Sequence, residues 1–411
     1  MKMLRKLWKV VCFAWTTNEK KRVVKKKAAG EKSLSQRLQC FLTAHYDFRF
    51  NVLTEETEYR PAGMTGERFV PLRQREQNSL CLDAHAKGIY CWDRDLNRYV
   101  NSGKIAEYHP FTLYLDELPA WDGVDRLCDL AKRVSDEDVW LASFPVWMRG
   151  MVAQWMGVTG KHANAVAPIL ISSIQGMLKS TFCKSLLPDV LQRYYTDSID
   201  LALPGQAERK LAEMGLLNLD EFDKISPKKM VLLKNLMQMP SLNLRKAYQK
   251  SFRELPRIAS FIGTSNRTDL LTDPTGSRRF ICVSVSHKID CSEINHAQIY
   301  AQLKQEVESG VRYWFTGEEE AKIQQHNAAF YRQSLEEDVF NTCFRIPQNA
   351  DDVVSCLSAA EIFKVLRAYN PAAMRGVNPA TFPQVLTTLG MRRKHTKWGN
   401  VYQVVKLPLH P

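Results

Sequence analysis

The sequence predicts an α/β protein built around a mostly parallel sheet. A mostly helical region precedes this core, and a small unit of two helices and a hairpin follows it. Three observations carry the prediction. Between residues 161 and 290, short apolar runs at 168–173, 216–219, 258–263 and 280–285 alternate with helical stretches, as strands joined by crossover helices do. Before Gly160, helical and short extended patterns mix. After Ser358, two apolar helical stretches are followed by two short strand-like ones.

In chain order, residues 1–32 read as a basic leader, with eleven Lys or Arg, two Glu and a net charge of +9. Residues 33–160 form the helical N-terminal region. Within it, 35–53 reads as a helix running into an extended piece, 89–92 (Ile89-Tyr90-Cys91-Trp92) as a short strand, and 140–156 as a helix rich in large apolar residues. Residues 161–340 hold the core and include an amphipathic helix at 298–310. The polar stretch 347–352 reads as a linker. In 351–411, helices are expected at 359–369 and 379–389, the second stopped by Gly390. Strands follow at 391–394 and 401–406, with Trp398-Gly399-Asn400 at the turn. Two helices and a hairpin resemble a winged helix, whose wing would carry Arg392, Arg393 and Lys394 toward DNA. The competing reading is a small packing lid with basic decoration.

With 411 residues, 45% apolar and 25% charged, the chain has material for a sizeable core. This excludes a mainly disordered, collagen-like or disulfide-stapled protein. Ten cysteines are scattered with no Cys-x-x-Cys pair. The spacing argues against structural zinc and fits a reducing, cytoplasmic setting. No run of about 18 apolar residues predicts a membrane span. The start is basic and then apolar, but it lacks a cleavage pattern for a signal peptide.

The net charge of +13 is unevenly placed. Residues 351–411 carry +5 and 33–350 carry −1, which hides a local +8 between 224 and 257. That patch includes Lys234, Arg245, Lys246 and Lys250, with Tyr248 among them. Lysine and arginine there would hold backbone phosphates, and a base would stack on Tyr248. A solvated basic face or a subunit contact is the bland alternative.

The run Gln175-Gly176-Met177-Leu178-Lys179-Ser180-Thr181 follows the first core strand and opens a helix. It matches part of the P-loop pattern, in which backbone N–H groups cradle phosphates, Lys reaches the outer phosphates and a hydroxyl holds Mg²⁺. Ser173 and Leu178 replace the two signature glycines, and Gly176 remains between them. Leu219-Asp220-Glu221 ends the second run with a metal-binding acid and then a water-polarising acid. Gly263-Thr264-Ser265-Asn266 ends the third with an amide suited to a γ-phosphate oxygen. Arg278-Arg279 opens the fourth with two guanidiniums suited to transition-state charge. Each piece has a bland reading alone: a surface loop, a strand-end turn or a solvated pair. Their order beside successive apolar runs argues for a nucleotide-binding core.

This set is compact, with 41 residues from Lys179 to Asp220 and 46 from there to Asn266. It resembles superfamily III helicases of the AAA+ class. More narrowly, the chain resembles the virulence-associated protein E family of phages, plasmids and genomic islands. The carrying residues are Pro110-Phe111, Trp121-Asp122-Gly123-Val124-Asp125-Arg126, the P-loop run, Leu219-Asp220-Glu221 and Arg245-Lys246-Ala247-Tyr248. Leu255-Pro256-Arg257, Gly263-Thr264-Ser265-Asn266 and 273–280 complete them. The resemblance covers about 105–285. It implies an AAA+-like P-loop ATPase that assembles as a homo-oligomeric ring, a hexamer by analogy, and moves on DNA in replication of a mobile element, with any primase on a separate chain. By the same analogy, Gly176, Lys179, Ser180 and Thr181 bind ATP, and Ser180 and Asp220 hold Mg²⁺. Glu221 and Asn266 are catalytic, and Arg278 or Arg279 acts on a neighbouring subunit's nucleotide. Leu178 stands where the family has Gly, which puts loop geometry and turnover in question. Trp121 is read as a packing anchor, with a turn at Asp122-Gly123. The alternative function is a nucleotide-binding DNA module with little or no turnover. A P-loop kinase fits less well, because no acceptor-site logic is visible.

Overall fold

The computed structural model describes residues 32–408, apart from residues 65, 161, 202–204, 246–251, 272–276, 332–334, 349–351 and 398. Two units result, Met1–His109 and Pro110–Pro411. The break falls inside the region that the sequence assigned to one helical N-terminal part. Residues from Pro110 onward contribute buried side chains to the larger unit.

In the first unit, Ser33 caps helix α1 (Leu34–His45) through a reciprocal pair with Gln36, which satisfies two otherwise free backbone donors. Strand β1 (Tyr46–Asn51) follows directly and pairs antiparallel with β2 (Glu56–Pro61). The short strands β3 (Val70–Pro71) and β4 (Glu107–Tyr108) give the sheet order β3-β2-β1-β4. Helices α2 (Gln74–Ala86) and α3 (Asp93–Val100) join α1 in a core of Leu38, Phe41, Leu42, Leu80, Ala84, Leu96 and Val100. The strand expected at 89–92 does not form. Cys91 is buried while Tyr90 and Trp92 are exposed, so the alternation is there. Among the described residues, however, no strand pairs with it. The segment is a hook between α2 and α3, pinned by Ile89 N–H to Ala84 O and by His85 Nε2 with Cys91 O at 2.8 Å.

The second unit opens with α4 (Pro110–Asp116), α5 (Leu127–Lys132) and α6 (Asp138–Trp155). Between α4 and α5, Asp122 accepts two bonds from the Arg126 guanidinium at 2.7 and 2.6 Å, and Gly123 turns at φ 83°. Trp121 is half-buried, and its Nε1 donates to Val124 O, so it closes the turn rather than anchoring a core. Helix α6 buries Trp140, Trp147 and Trp155.

The central sheet comprises β5 (Ala167–Ile171), β6 (Tyr195–Thr196), β7 (Leu216–Leu219), β10 (Ser260–Ser265) and β11 (Phe280–Ser284), in the order β11-β5-β10-β7-β6. All four pairings are parallel. Every residue of β5, β7 and β10 is buried, which explains why these strands read as unbroken apolar runs. Helix α7 (Lys179–Ser185) follows β5, α8 (Gln206–Glu213) precedes β7, and α9 (Pro227–Leu236) follows it. Leu211, Leu233 and Leu236 pack on the sheet beside Ile169, Leu217 and Phe261. A hairpin, β8 (Ser241–Arg245) with β9 (Phe252–Pro256), separates α9 from β10.

Gly263 lets β10 pass between its neighbours. A Cβ there would meet Ile169 Cδ1 at 2.7 Å and Leu219 O at 3.1 Å. From α6, Gln154 Nε2 donates to Ile258 O and Ala259 O and so fixes the start of β10. Helix α10 (His296–Glu308) stacks Tyr300 on Trp155 of α6.

Helices α11 (Gly317–His326) and α12 (Leu335–Cys343) come next. Val339, Phe340 and Cys343 of α12 belong to the core of the C-terminal region, with Ile362, Leu366, Phe382 and Tyr402. That region therefore starts before the stretch 351–411. Its elements are β12 (Phe344–Arg345), β13 (Val354–Ser358), α13 (Ala359–Tyr369), α14 (Phe382–Thr388), β14 (Arg393–Thr396) and β15 (Gly399–Lys406). The two helices and the hairpin form, but the hairpin turns earlier than expected: Gly399 and Asn400, read as part of the turn, pair with Thr396 and His395. The added strands β12 and β13 pair with β15.

Candidate active site

A parallel sheet brings the carboxyl ends of its strands to one edge, and ligands of open α/β sheets bind outside that edge. Here β10 lies between β5 and β7, so the segments after these three strands meet there. After β5 the chain turns through two left-handed residues, Gly176 (φ 79°) and Leu178 (φ 61°), before α7 begins at Lys179. Leu178 thus adopts the conformation a glycine would take. A non-glycine residue there costs about 1–2 kcal/mol. Ile289 N–H donates to Met177 O and ties the loop to the chain after β11.

Lys179 is buried. Its Nζ donates to Ser172 O and to Asn266 Oδ1, both at 3.0 Å. Burial lowers its pKa, and the charge of Asp220 opposes that shift. Ser180 Oγ donates to Asp220 Oδ1 at 3.3 Å, and Thr264 Oγ1 donates to the same oxygen. Ser265 Oγ donates to Asp223 Oδ1 at 2.8 Å, linking the end of β10 to the turn after β7. Glu221 is left-handed (φ 51°), and its carboxylate pairs with Lys224 Nζ at 2.5 Å. An open cavity of about 190 Å³ adjoins these acids, with Asp197, Ile199, Lys224 and Lys229 in its wall.

Two pairs therefore form side by side, Lys179 with Asn266 and Ser180 with Asp220, while Glu221 follows Asp220 and is engaged by Lys224. Gly176 and Thr181 are exposed on the loop and the first turn of α7. Arg278 and Arg279 are not part of this cluster. Phe280 pairs with Ala167, the first residue of β5, so both arginines lie at the amino end of the sheet, opposite the loop. Arg278 pairs there with Glu320 at 3.4 Å.

Of the basic residues, Lys234 is half-buried on α9, and Arg245 ends β8. Lys246, Tyr248 and Lys250 lie outside the described residues. Arg392, Arg393 and Lys394 are exposed at the β14–β15 hairpin. Thr264, Ser265 and Asp223 carried no role in the sequence reading. For Thr264 and Ser265 the signal was present as two adjacent hydroxyls at the carboxyl end of the buried run.

Among the described residues, no group of three or more His, Cys, Asp or Glu is arranged to hold a metal. The Ser180 hydroxyl and the Asp220 carboxylate are a hard-oxygen pair. Magnesium takes one or two such protein ligands and completes its shell with water and phosphate, so the donors present fit that ion. No helix among the described residues is long and apolar enough to cross a membrane.

The fold and the site define a protein with a parallel α/β core and a lysine–hydroxyl–carboxylate–amide cluster at the sheet's carboxyl edge. The chain belongs to the virulence-associated protein E-like family, whose domain matches residues 115–332. Residues 333–404 match a second family, a domain of unknown function described from a B. Theta gene. No curated protein matches the chain. Among solved structures, it is similar to the apo C-terminal region of NrS-1, at 14% identity and a TM-score of 0.42, over 92% of this chain and all of that one. An A-form apo structure of the same region gives 14% identity, the same coverage and a TM-score of 0.43.

Proposed function

We propose that this chain is a Mg²⁺-dependent ATPase that moves on DNA as a homo-oligomeric ring during replication of a mobile element. The observation that carries the reading is the convergence of Lys179, Ser180, Asp220 and Asn266 at the carboxyl edge of three adjacent parallel strands. In this reading Lys179 binds the outer phosphates and shifts its bonds from Ser172 O and Asn266 to them. Asn266, one strand away, meets the γ-phosphate and the attacking water. Glu221 takes the proton of that water. Magnesium, when bound by Ser180 and Asp220, would supply charge neutralisation at the β- and γ-oxygens. Positioning and charge neutralisation do most of the work in such a transfer.

Arg278 and Arg279 are five strand residues from the loop edge, roughly 16 Å at the usual rise per residue. They suit the nucleotide of an adjacent subunit and not that of their own. The basic segment 224–253 and the hairpin residues Arg392, Arg393 and Lys394 are the proposed DNA contacts, with affinity that falls as salt rises; Arg257 is excluded, because it is buried and donates to Gln154 Oε1 and Asn164 O.

A second reading has its own support. The Glu221–Lys224 pair occupies the general base, as expected for a module that binds nucleotide with little turnover. An exposed ion pair is weak, so Lys224 would reduce turnover without ending it. Steady-state ATP hydrolysis with and without single-stranded DNA separates the two. DNA-stimulated turnover that Lys179→Ala abolishes supports the motor. Nucleotide binding without turnover supports the module. Full hydrolysis by Lys179→Ala sinks both assignments of the site.

A further inference from the structure

We propose that Thr264 is a positioning residue that fixes the Asp220 carboxylate, holding Oδ1 so that Oδ2 is the oxygen presented to magnesium and its water shell. The inference rests on the ATPase reading above. A carboxylate turns broadly about its last torsion, so its two oxygens are interchangeable unless one is held. Asp220 Oδ1 accepts from both Ser180 and Thr264. The two donors differ in kind. Ser180 is exposed, and its oxygen is the one a metal would take. Thr264 is 4% exposed. It lies on the interior strand β10, level with Leu170 of β5, and a β-branched side chain is stiff at χ1. Its hydroxyl therefore remains on Asp220 whether or not the metal is present. Groups that orient a metal ligand from behind typically change metal affinity by about 10–100-fold when removed.

The test measures binding as well as turnover. The affinity of a fluorescent ADP is titrated at increasing Mg²⁺ for the full chain and for Thr264→Val, which keeps the shape and loses the hydroxyl. Thermal unfolding of each variant reports folding. The wild type should bind more tightly as Mg²⁺ rises. T264V should need about tenfold more Mg²⁺ for the same gain, with its Mg²⁺-free affinity unchanged. Thr264→Ser, which keeps the hydroxyl, should behave as wild type. If T264V does not fold, Thr264→Ala against T264S carries the same comparison. Wild-type Mg²⁺ dependence in the hydroxyl-free variant overturns the assignment. ADP binding by the wild type that ignores Mg²⁺ refutes the ATPase reading itself, and the Thr264 role with it.

Discussion

The Lys179 ammonium donates to the side-chain oxygen of Asn266 at 3.0 Å, although 87 residues separate them in the chain. The contact spans two neighbouring parallel strands. It places the amide within a hydrogen bond of the group proposed to bind the outer phosphates. In the proposed reaction, an amide in that place would act on the γ-phosphate and water more than on the rest of the nucleotide. Asn266→Ala should therefore leave ADP affinity within about threefold and lower the hydrolysis rate about 100-fold, the usual effect of removing one such polar group. Fluorescence titration and steady-state kcat check the two halves separately.

Leu178 holds a left-handed backbone at φ 61°, which glycine adopts without strain. Relief of about 1–2 kcal/mol is partly offset by the roughly 0.5–1 kcal/mol entropic cost of glycine. Leu178→Gly should unfold at a temperature no lower than wild type and hydrolyse ATP at least as fast. Leu178→Val, β-branched in a left-handed position, should unfold at a lower temperature. Differential scanning of the three proteins decides the point.

Gly263 has the opposite character. Its backbone is ordinary strand, and what excludes a side chain is space, with Ile169 Cδ1 at 2.7 Å from a built Cβ. Overpacking of this kind costs about 1–3 kcal/mol. Gly263→Ala should lower the denaturation midpoint accordingly. It should also lower turnover, because β10 carries Thr264 and Asn266. A midpoint equal to wild type would show that Ile169 moves aside freely.

The Asp122 carboxyl is held down to about 2 by the Arg126 guanidinium. A depressed carboxyl stabilises the fold above its ordinary value of about 3.9 and loses that contribution as pH falls toward its folded value. Asp122→Asn should unfold at a lower temperature than wild type at pH 6, and the gap should narrow between about pH 4 and 2. Melting curves across that range test the sign.

Much of the architecture was legible in local pattern. The four core runs, the helix 140–156 and the C-terminal helices and hairpin are set by apolar periodicity and local signals such as the Ser358 cap of the helix at 359–369, which act within a few residues. The segment 89–92 shows the limit. Its alternation was right, but alternation reports which side chains are buried and not whether a partner strand lies alongside. The unit boundary at His109 likewise depends on where the side chains after Pro110 are buried.

The candidate site divides the same way. Lys179, Ser180, Asp220, Glu221 and Asn266 stood out from residue type and order. The Lys179–Asn266 and Ser180–Asp220 contacts came only from the order β11-β5-β10-β7-β6, because strand pairing is a non-local choice that periodicity does not encode. That order sets Asn266 against Lys179 and brings Thr264 onto Asp220, while the parallel direction of β11, which Arg278 and Arg279 precede, puts them at the sheet's amino end. By itself, the sequence marked the apolar runs of the core sheet and the residue types suited to nucleotide chemistry. The tertiary structure decided which of those side chains meet, because hydrogen bonding between distant strands selects their neighbours.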